Sequence, residues 1–322
     1  MTAMWDPVML LAGLVLLYFG AEWLVAGAAG LARSFGFSPL LVGLTVVAYG
    51  TSAPELVVGV RAAGSGQGAI ALGNVIGSNI ANLGLILGVT ALVLPPAIDR
   101  GLIRREVPVL LLSTALLPLL LRDGHLARWE AGGLVALAIG YSLWMIRTAR
   151  IGSVADATAV EAAAGAAAGL TTPGSRAMLA VRAAIGLGLL VLGGDLLVRG
   201  ATGLAAAAGM SDRLIGLTIV AVGTSLPELA TSLVAARRGH SDMAIGNVIG
   251  SNIFNVLLIG GASGLVGDIG AAPSAIALDL IALATLTVVA CAVMRYATRF
   301  GRMAGAAMLT GYLGFIGTLI AA

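Results

Sequence analysis

Glu55 and Glu228 are two carboxylates set in apolar surroundings, and each closes the same short run: Gly50-Thr-Ser-Ala-Pro-Glu55 and Gly223-Thr-Ser-Leu-Pro-Glu228. Pro54 has no N–H, and its ring clashes with the carbonyl four residues back, so a helix through this run breaks near Gly50; Pro227 does the same near Gly223. Such a break leaves backbone carbonyls exposed. Ala48, Thr51, Ala221 and Thr224 are expected to offer oxygens of this kind. Thr51 stands four residues before Glu55 and Ser52 three, which puts hydroxyls and carboxylate on one helical face.

A second duplicated run supplies the complement. Gly73-Asn-Val-Ile-Gly-Ser-Asn-Ile80 recurs as Gly246-Asn-Val-Ile-Gly-Ser-Asn-Ile253. Ser78 and Asn82 are four apart, as are Ser251 and Asn255, so each helix presents a hydroxyl and an amide oxygen on one face. Carboxylates, amides, hydroxyls and freed carbonyls, with no His or Cys among them, form an all-oxygen donor set. That set suits hard cations: Ca2+ takes six to eight oxygens in flexible geometry, whereas Mg2+ or Zn2+ asks for something else. Two carboxylates neutralise one Ca2+ and can instead hold several Na+.

The elements that must position these groups cross a membrane. The chain has 322 residues, 59% of them hydrophobic and only 10% charged, with a mean hydropathy of +1.04. A soluble chain of this length needs far more charge to cover its surface. Apolar runs long enough to cross about 30 Å of hydrocarbon recur throughout. Non-helical backbone at that depth is tolerated only where it lines a cavity or binds an ion. A buried carboxylate there costs about 2.5–3.5 kcal/mol on insertion scales, so Glu55 and Glu228 read as ligands rather than as structural acids. The 18 cationic residues are all Arg and lie between apolar runs, where topology explains them better than nucleic acid does. Cys291 stands alone in an apolar run, which leaves no disulfide framework or zinc site. The first apolar run, Met1 to Leu31, lacks a basic leader and reads as a span, not a cleaved signal.

Punctuation by Gly, Pro and Arg predicts an all-α polytopic membrane protein with ten transmembrane helices: 7–32, 39–62, 68–94, 102–121, 127–148, 177–207, 213–236, 241–266, 273–294 and 303–321. Residues 1–150 form a first repeat of five spans and 176–322 a second. The Ala/Gly/Thr-rich segment 151–175 reads as a cytoplasmic linker. One fixed offset superposes both duplicated runs, and without a gap from Gly20 to Gly88, the mark of a duplicated unit. Five spans per unit is odd, so the second repeat must lie inverted relative to the first, an arrangement of transporters with a site between the repeats. With both termini on the periplasmic or extracellular side of a cell inner membrane, the cytoplasmic connections collect most of the arginines, among them Arg33, Arg104, Arg105, Arg237 and Arg238.

Carrying Gly-Thr-Ser-x-Pro-Glu and Gly-Asn-Val-Ile-Gly-Ser-Asn-Ile-x-x-Asn twice each, the chain resembles the sodium/calcium exchanger family of the cation/Ca2+ antiporters. The resemblance covers both repeat cores and the ten-span plan, and not the linker or the outer spans in detail. It implies that Glu55 and Glu228 are shared Ca2+ and Na+ ligands. It implies that Ser52, Ser78, Ser225 and Ser251, with the Ala48 and Ala221 carbonyls, complete flanking Na+ sites, and that Asn82 and Asn255 face the centre. Some members carry Asp where this chain has Asn255. The expected function is electrogenic exchange of Na+ for Ca2+ by alternating access, with spans 1 and 6 moving over spans 2, 3, 7 and 8. Neither an enzyme's nucleophile–base pair nor a cofactor motif is visible; the expected partners are the two ions and the lipid bilayer, without nucleic acid or a required protein. The alternatives are an H+/Ca2+ exchanger, whose family uses a different acidic motif, and, from another class, a cation channel or an intramembrane enzyme.

Other residues read more plainly. The Gly73-x-x-x-Gly77 and Gly246-x-x-x-Gly250 pairs fit close helix packing. Glu22 and Asp195 correspond under the repeat offset and are expected to pair with backbone or with Arg199 or to sit near an interface, a role as secondary ion-path groups being the alternative. Glu106 and Asp279 also correspond and read as structural, and His240 reads as a solvated loop residue.

Overall fold

The structure, a computed structural model, describes residues 5–165, 175–209 and 221–321, without the side chains of 39, 102, 103, 149–165, 206 and 221. Helix α1 spans Asp6–Phe35 and stops at Gly36, whose φ of 69° is left-handed. Next, α2 (Pro39–Val42) passes through a π-helical stretch, Gly43–Val47, into α3 (Ala48–Thr51) and, across a break, α4 (Ala53–Gly64). Then come α5 (Gly68–Ala81), a π-helical stretch Asn82–Leu87, α6 (Gly88–Val93), α7 (Arg100–Leu120) and α8 (Arg128–Gly165). The second half holds α9 (Arg176–Ala207), α10 (Ala221–Gly223), α11 (Leu226–Arg237), α12 (Ser241–Phe254), a π-helical stretch Asn255–Gly260, α13 (Gly261–Val266), α14 (Pro273–Tyr296) and α15 (Arg302–Ala321).

Among the described residues seven helices are long and apolar enough to cross a membrane, or eight if the pair Leu40–Thr51 and Ala53–Gly64, bent by 45°, is one span. Two of the ten expected spans fall outside that set for identifiable reasons. Helix α7 opens with Arg100, Arg104, Arg105 and Glu106, which lower its hydropathy, and the span expected at 213–236 begins outside the described residues. Helix α8 continues to Gly165, so the first part of the expected linker 151–175 is helical; 166–174 lie outside the described residues.

Packing separates a core from a periphery. The stretch Gly68–Val93 is 78% buried over its most apolar window and Ser241–Val266 is 94% buried, against 17% for Arg302–Ala321. The helices bearing the duplicated Gly-Asn-Val-Ile-Gly-Ser-Asn run therefore lie at the centre. Helices α1 and α9 pack along each other through glycines spaced by seven: Gly13, Gly20 and Gly27 on one, Gly186, Gly193 and Gly200 on the other. A Cβ on Gly186 would sit 2.4 Å from the Leu24 backbone nitrogen, and one on Gly20 2.8 Å from that of Leu190. Gly13 faces Leu197, Gly20 faces Leu190 and Gly27 faces Ala183, so the two helices run antiparallel. A similar order holds for α7 and α14. Their ends meet through the bridge Ala97–Arg299 at one end and a two-residue antiparallel ladder, β1 (His125–Leu126) with β2 (Ile269–Gly270), at the other. Midway along them, the Thr114 and Thr287 hydroxyls lie 3.5 Å apart. Apart from that ladder and the single bridge, the regular structure of the described residues is helical.

Candidate cation site

The breaks fall where the prolines require. Ser52 (φ −84°, ψ 6°) separates α3 from α4, and Ser225 (φ −92°, ψ 7°) precedes α11, both in the bridge region between helix and strand. Pro54 and Pro227 then occupy the opening turns of α4 and α11, where a missing N–H costs nothing. Each carboxylate sits in that same first turn. Ser52 N–H bonds to the Ala48 carbonyl at 3.0 Å, and Ser225 N–H bonds to the Val222 carbonyl at 3.1 Å. The Ala48 carbonyl thus accepts Ser52 N–H and also lies 3.5 Å from the Thr51 hydroxyl.

Glu55 and Glu228 are each 1% exposed, and the breaks bring them together crosswise. Ser52 Oγ donates to Glu228 Oε1 at 3.0 Å, and Ser225 Oγ donates to Glu55 Oε1 at a longer 3.4 Å. Each serine therefore serves the carboxylate of the other half. Among the described residues neither carboxylate has an ion-pair partner. Thr51, fully buried, holds its hydroxyl 3.0 Å from the Val47 carbonyl and 3.2 Å from Asn247 Oδ1. Thr224 is half-buried in the turn ahead of α11, and Ala221 opens α10. Ala48 is buried against Gly250, the residue before Ser251.

Ser78, Ser251, Asn82 and Asn255 are all 5% exposed or less, the asparagines opening the π-helical stretches Asn82–Leu87 and Asn255–Gly260. Among the described residues none of the four bonds to a carboxylate. Instead, Asn82 Oδ1, Asn255 Oδ1, Ser251 Oγ, Glu55 Oε2 and Glu228 Oε2 are buried oxygens with no hydrogen-bond partner. Each such orphan costs about 1–3 kcal/mol, and buried oxygens left without partners on the breaks and on the two core spans call for an explanation. Oxygens alone, two of them anionic, match a hard cation as occupant.

Asn74 and Asn247 escape the sequence reading. Asn74 Nδ2 donates to the Glu55 backbone carbonyl at 2.9 Å; Asn247 Nδ2 donates to the Glu228 carbonyl at 3.3 Å and to Ser232 Oγ at 3.0 Å. Their signal was present, since both sit in the duplicated run four residues before a candidate serine. Glu22 pairs with Arg238 and, at 3.3 Å, with Arg237 rather than with Arg199, while Asp195 takes Arg199 at 2.9 Å within its own helix. Gly246 and Gly250 pack on the α2–α3 backbone as expected for small residues at a helix contact, whereas Gly73 and Gly77 meet no described residue within 4 Å. His240 is half-buried, and burial first, then the Arg33 and Arg238 charges, lower its pKa from 6.5.

The family model for sodium/calcium exchanger proteins matches residues 5–147 and 178–321. The putative antiporter CaxA of Alkalimonas amylolytica is 39% identical over 311 residues, 96% of each chain. The inner membrane protein YrbG of Escherichia coli is 38% identical over 260 residues, 80% of this chain and 79% of that one. Among solved structures, the sodium–calcium exchanger NCX_Mj, soaked with Na+ and Sr2+, superposes with a TM-score of 0.84 at 32% identity over 98% of this chain and 99% of the other.

Proposed function

The chain belongs to the sodium/calcium exchanger family, and on that premise we propose that this membrane cation/Ca2+ antiporter exchanges Na+ for Ca2+ by alternating access and moves net charge in each cycle. The observation that carries the reading is the crosswise site: Glu55 and Glu228, each held by the other half's serine, with unpartnered oxygens of Asn82, Ser251 and Asn255 buried nearby in the core helices. Ca2+ or several Na+ neutralise the pair, and an empty site with two negative charges in a low dielectric resists the switch between faces. Asn255 offers an oxygen without a charge, so the site holds two formal negatives and needs no K+ to balance a third. Ala48 and Ala221 carbonyls, Thr51, Thr224, Ser52, Ser225 and Ser78 complete the ligand set in this reading.

The proposed frame is ten spans in two inverted repeats, both termini outside, with α1 and α9 moving over the core. Its support is the antiparallel course of α1 with α9 and of α7 with α14, together with the arginine bias of the connections. The test is 45Ca2+ flux in proteoliposomes at clamped potential under Na+, K+ or H+ gradients in turn. Na+ alone should drive Ca2+, at a rate that follows the potential. Glu55→Gln and Glu228→Gln should each abolish flux in folded protein, because an amide does not offset divalent charge. Flux driven equally by H+, strict need for K+, or near-normal flux in either variant sinks the proposal.

A further inference from the structure

Tyr49 stands immediately before Gly50-Thr51-Ser52, and Phe254 immediately before Asn255. The two rings lie against each other with centroids 3.7 Å apart, and Tyr141 approaches the same Phe254 at 6.2 Å. Phe254 is 1% exposed. Tyr49 Oη is 2.6 Å from Ser142 Oγ on α8, and Ser142 Oγ donates its one hydrogen to the Ala138 carbonyl at 2.6 Å. The phenol is therefore the donor of the Tyr49–Ser142 bond. On the neighbouring position of α8, the Tyr141 hydroxyl donates to Glu106 of α7. Two peripheral helices are thus tied by phenols and a ring stack to the first break and to the start of the Asn255 stretch.

At the corresponding positions of the other half the sequence does not carry these residues. At the repeat offset Tyr49 becomes Val222, Phe254 becomes Ala81, Tyr141 becomes Gly314, Ser142 becomes Phe315 and Glu106 becomes Asp279. Nothing at these positions can repeat the stack or the two hydroxyl bonds. A gene duplication predicts equal halves; among the described residues this aromatic stack braces the first break.

We propose that Tyr49, seated on Phe254 and bonded to Ser142, is a positioning residue that holds the first-half oxygens at the spacing of Ca2+ and so discriminates against larger divalent cations. The proposal rests on the reading of the crosswise site as the cation site. Discrimination among oxygen-ligated cations depends on cavity size, ligand number and flexibility. A braced break cannot spread for a larger ion, whereas an unbraced one can. Loss of the brace should therefore weaken Ca2+ more than Ba2+. Tyr49 touches no ion in this account, and its effect runs through the backbone of Ala48, Thr51 and Ser52.

The experiment measures binding of Ca2+, Sr2+ and Ba2+ to the purified full chain by calorimetry, a readout independent of the counter-ion. Tyr49→Phe and Ser142→Ala should each weaken Ca2+ about fivefold, the worth of one hydrogen bond, with Ba2+ changed less than about twofold. The double substitution should do no more than either alone, since both remove the same bond. Tyr49→Ala should narrow the Ca2+ to Ba2+ ratio further, with Phe restoring part of it. Equal weakening of all three ions, or additive effects in the double variant, overturns the proposal, as does an unchanged ratio. Calcium binding with the predicted ratios but no Na+-driven flux leaves this assignment standing and removes the exchange reading instead.

Discussion

Asn74 and Asn247 hold the carboxylate-bearing helices through backbone carbonyls, so they fix where Glu55 and Glu228 begin without touching their side chains. The two are not equal in cost. Asn74 is half-buried and makes one such bond, while Asn247 is fully buried, bonds two acceptors through Nδ2 and receives the neighbourhood of the Thr51 hydroxyl at Oδ1. Asn247→Ala strands more buried groups and should cost about 2–3 kcal/mol, against about 1 kcal/mol for Asn74→Ala. Thermal unfolding of the two purified variants should show the larger drop for Asn247, and equal drops would remove the ranking. At this scale the sequence exposes residue types better than pairings. Glu55, Glu228, Ser52 and Ser225 are visible as duplicated motif members. That Ser52 serves Glu228 rather than its neighbour Glu55 depends on how two distant breaks meet, which spacing along one helix cannot express.

Breaks, π-helical stretches and the glycine seam are the elements that make those pairings possible. The prolines announce both breaks in the sequence, and the structure puts them at Ser52 and Ser225. The π-helical stretches after Ala81 and Phe254 were not legible, because an extra residue in a turn leaves the apolar pattern nearly unchanged. Neither was the helical course of 151–165, where Ala-rich composition fits linker and helix alike. The seam between α1 and α9 lets two long helices touch at backbone distance, as small residues do in membranes, where dispersion rather than the hydrophobic effect holds helices together. Gly186→Ala places a methyl 2.4 Å from the Leu24 backbone nitrogen, so the helices must part, at a cost of about 1–3 kcal/mol. Gly188, exposed on the opposite face, is the control: Ala there should be neutral or stabilising, since it favours the helix. Matched melting temperatures for the two variants would show that the seam does not depend on close approach.

Duplication makes the whole molecule nearly symmetric, and a symmetric antiporter has no built-in preference for either face. Charge breaks that symmetry. Glu22 on α1 is 13% exposed at its side chain and pairs with Arg237 and Arg238 at the end of α11, which carries Glu228. At the repeat offset Glu22 becomes Asp195, but the two arginines become Gly64 and Ser65, and Asp195 pairs with Arg199 on its own helix instead. One of the two long helices is thus fastened to the core by charge, and among the described residues its counterpart is not. If α1 slides over the core during the cycle, this fastening must open in one state and close in the other. Because both arginines are partly exposed, the pair is worth about 1 kcal/mol, enough to change a two-state ratio roughly fivefold. Glu22→Gln should therefore lengthen the distance between spin labels on α1 and α11 in a larger fraction of molecules. Asp195→Asn, which breaks a bond inside one helix, should leave the matching α9 to α4 distances as they were. Raising the salt concentration should move the unsubstituted protein in the same direction as Glu22→Gln and leave that variant unmoved. Identical distance distributions in Glu22→Gln and the parent chain would mean that the ion pair follows the conformational change without biasing it.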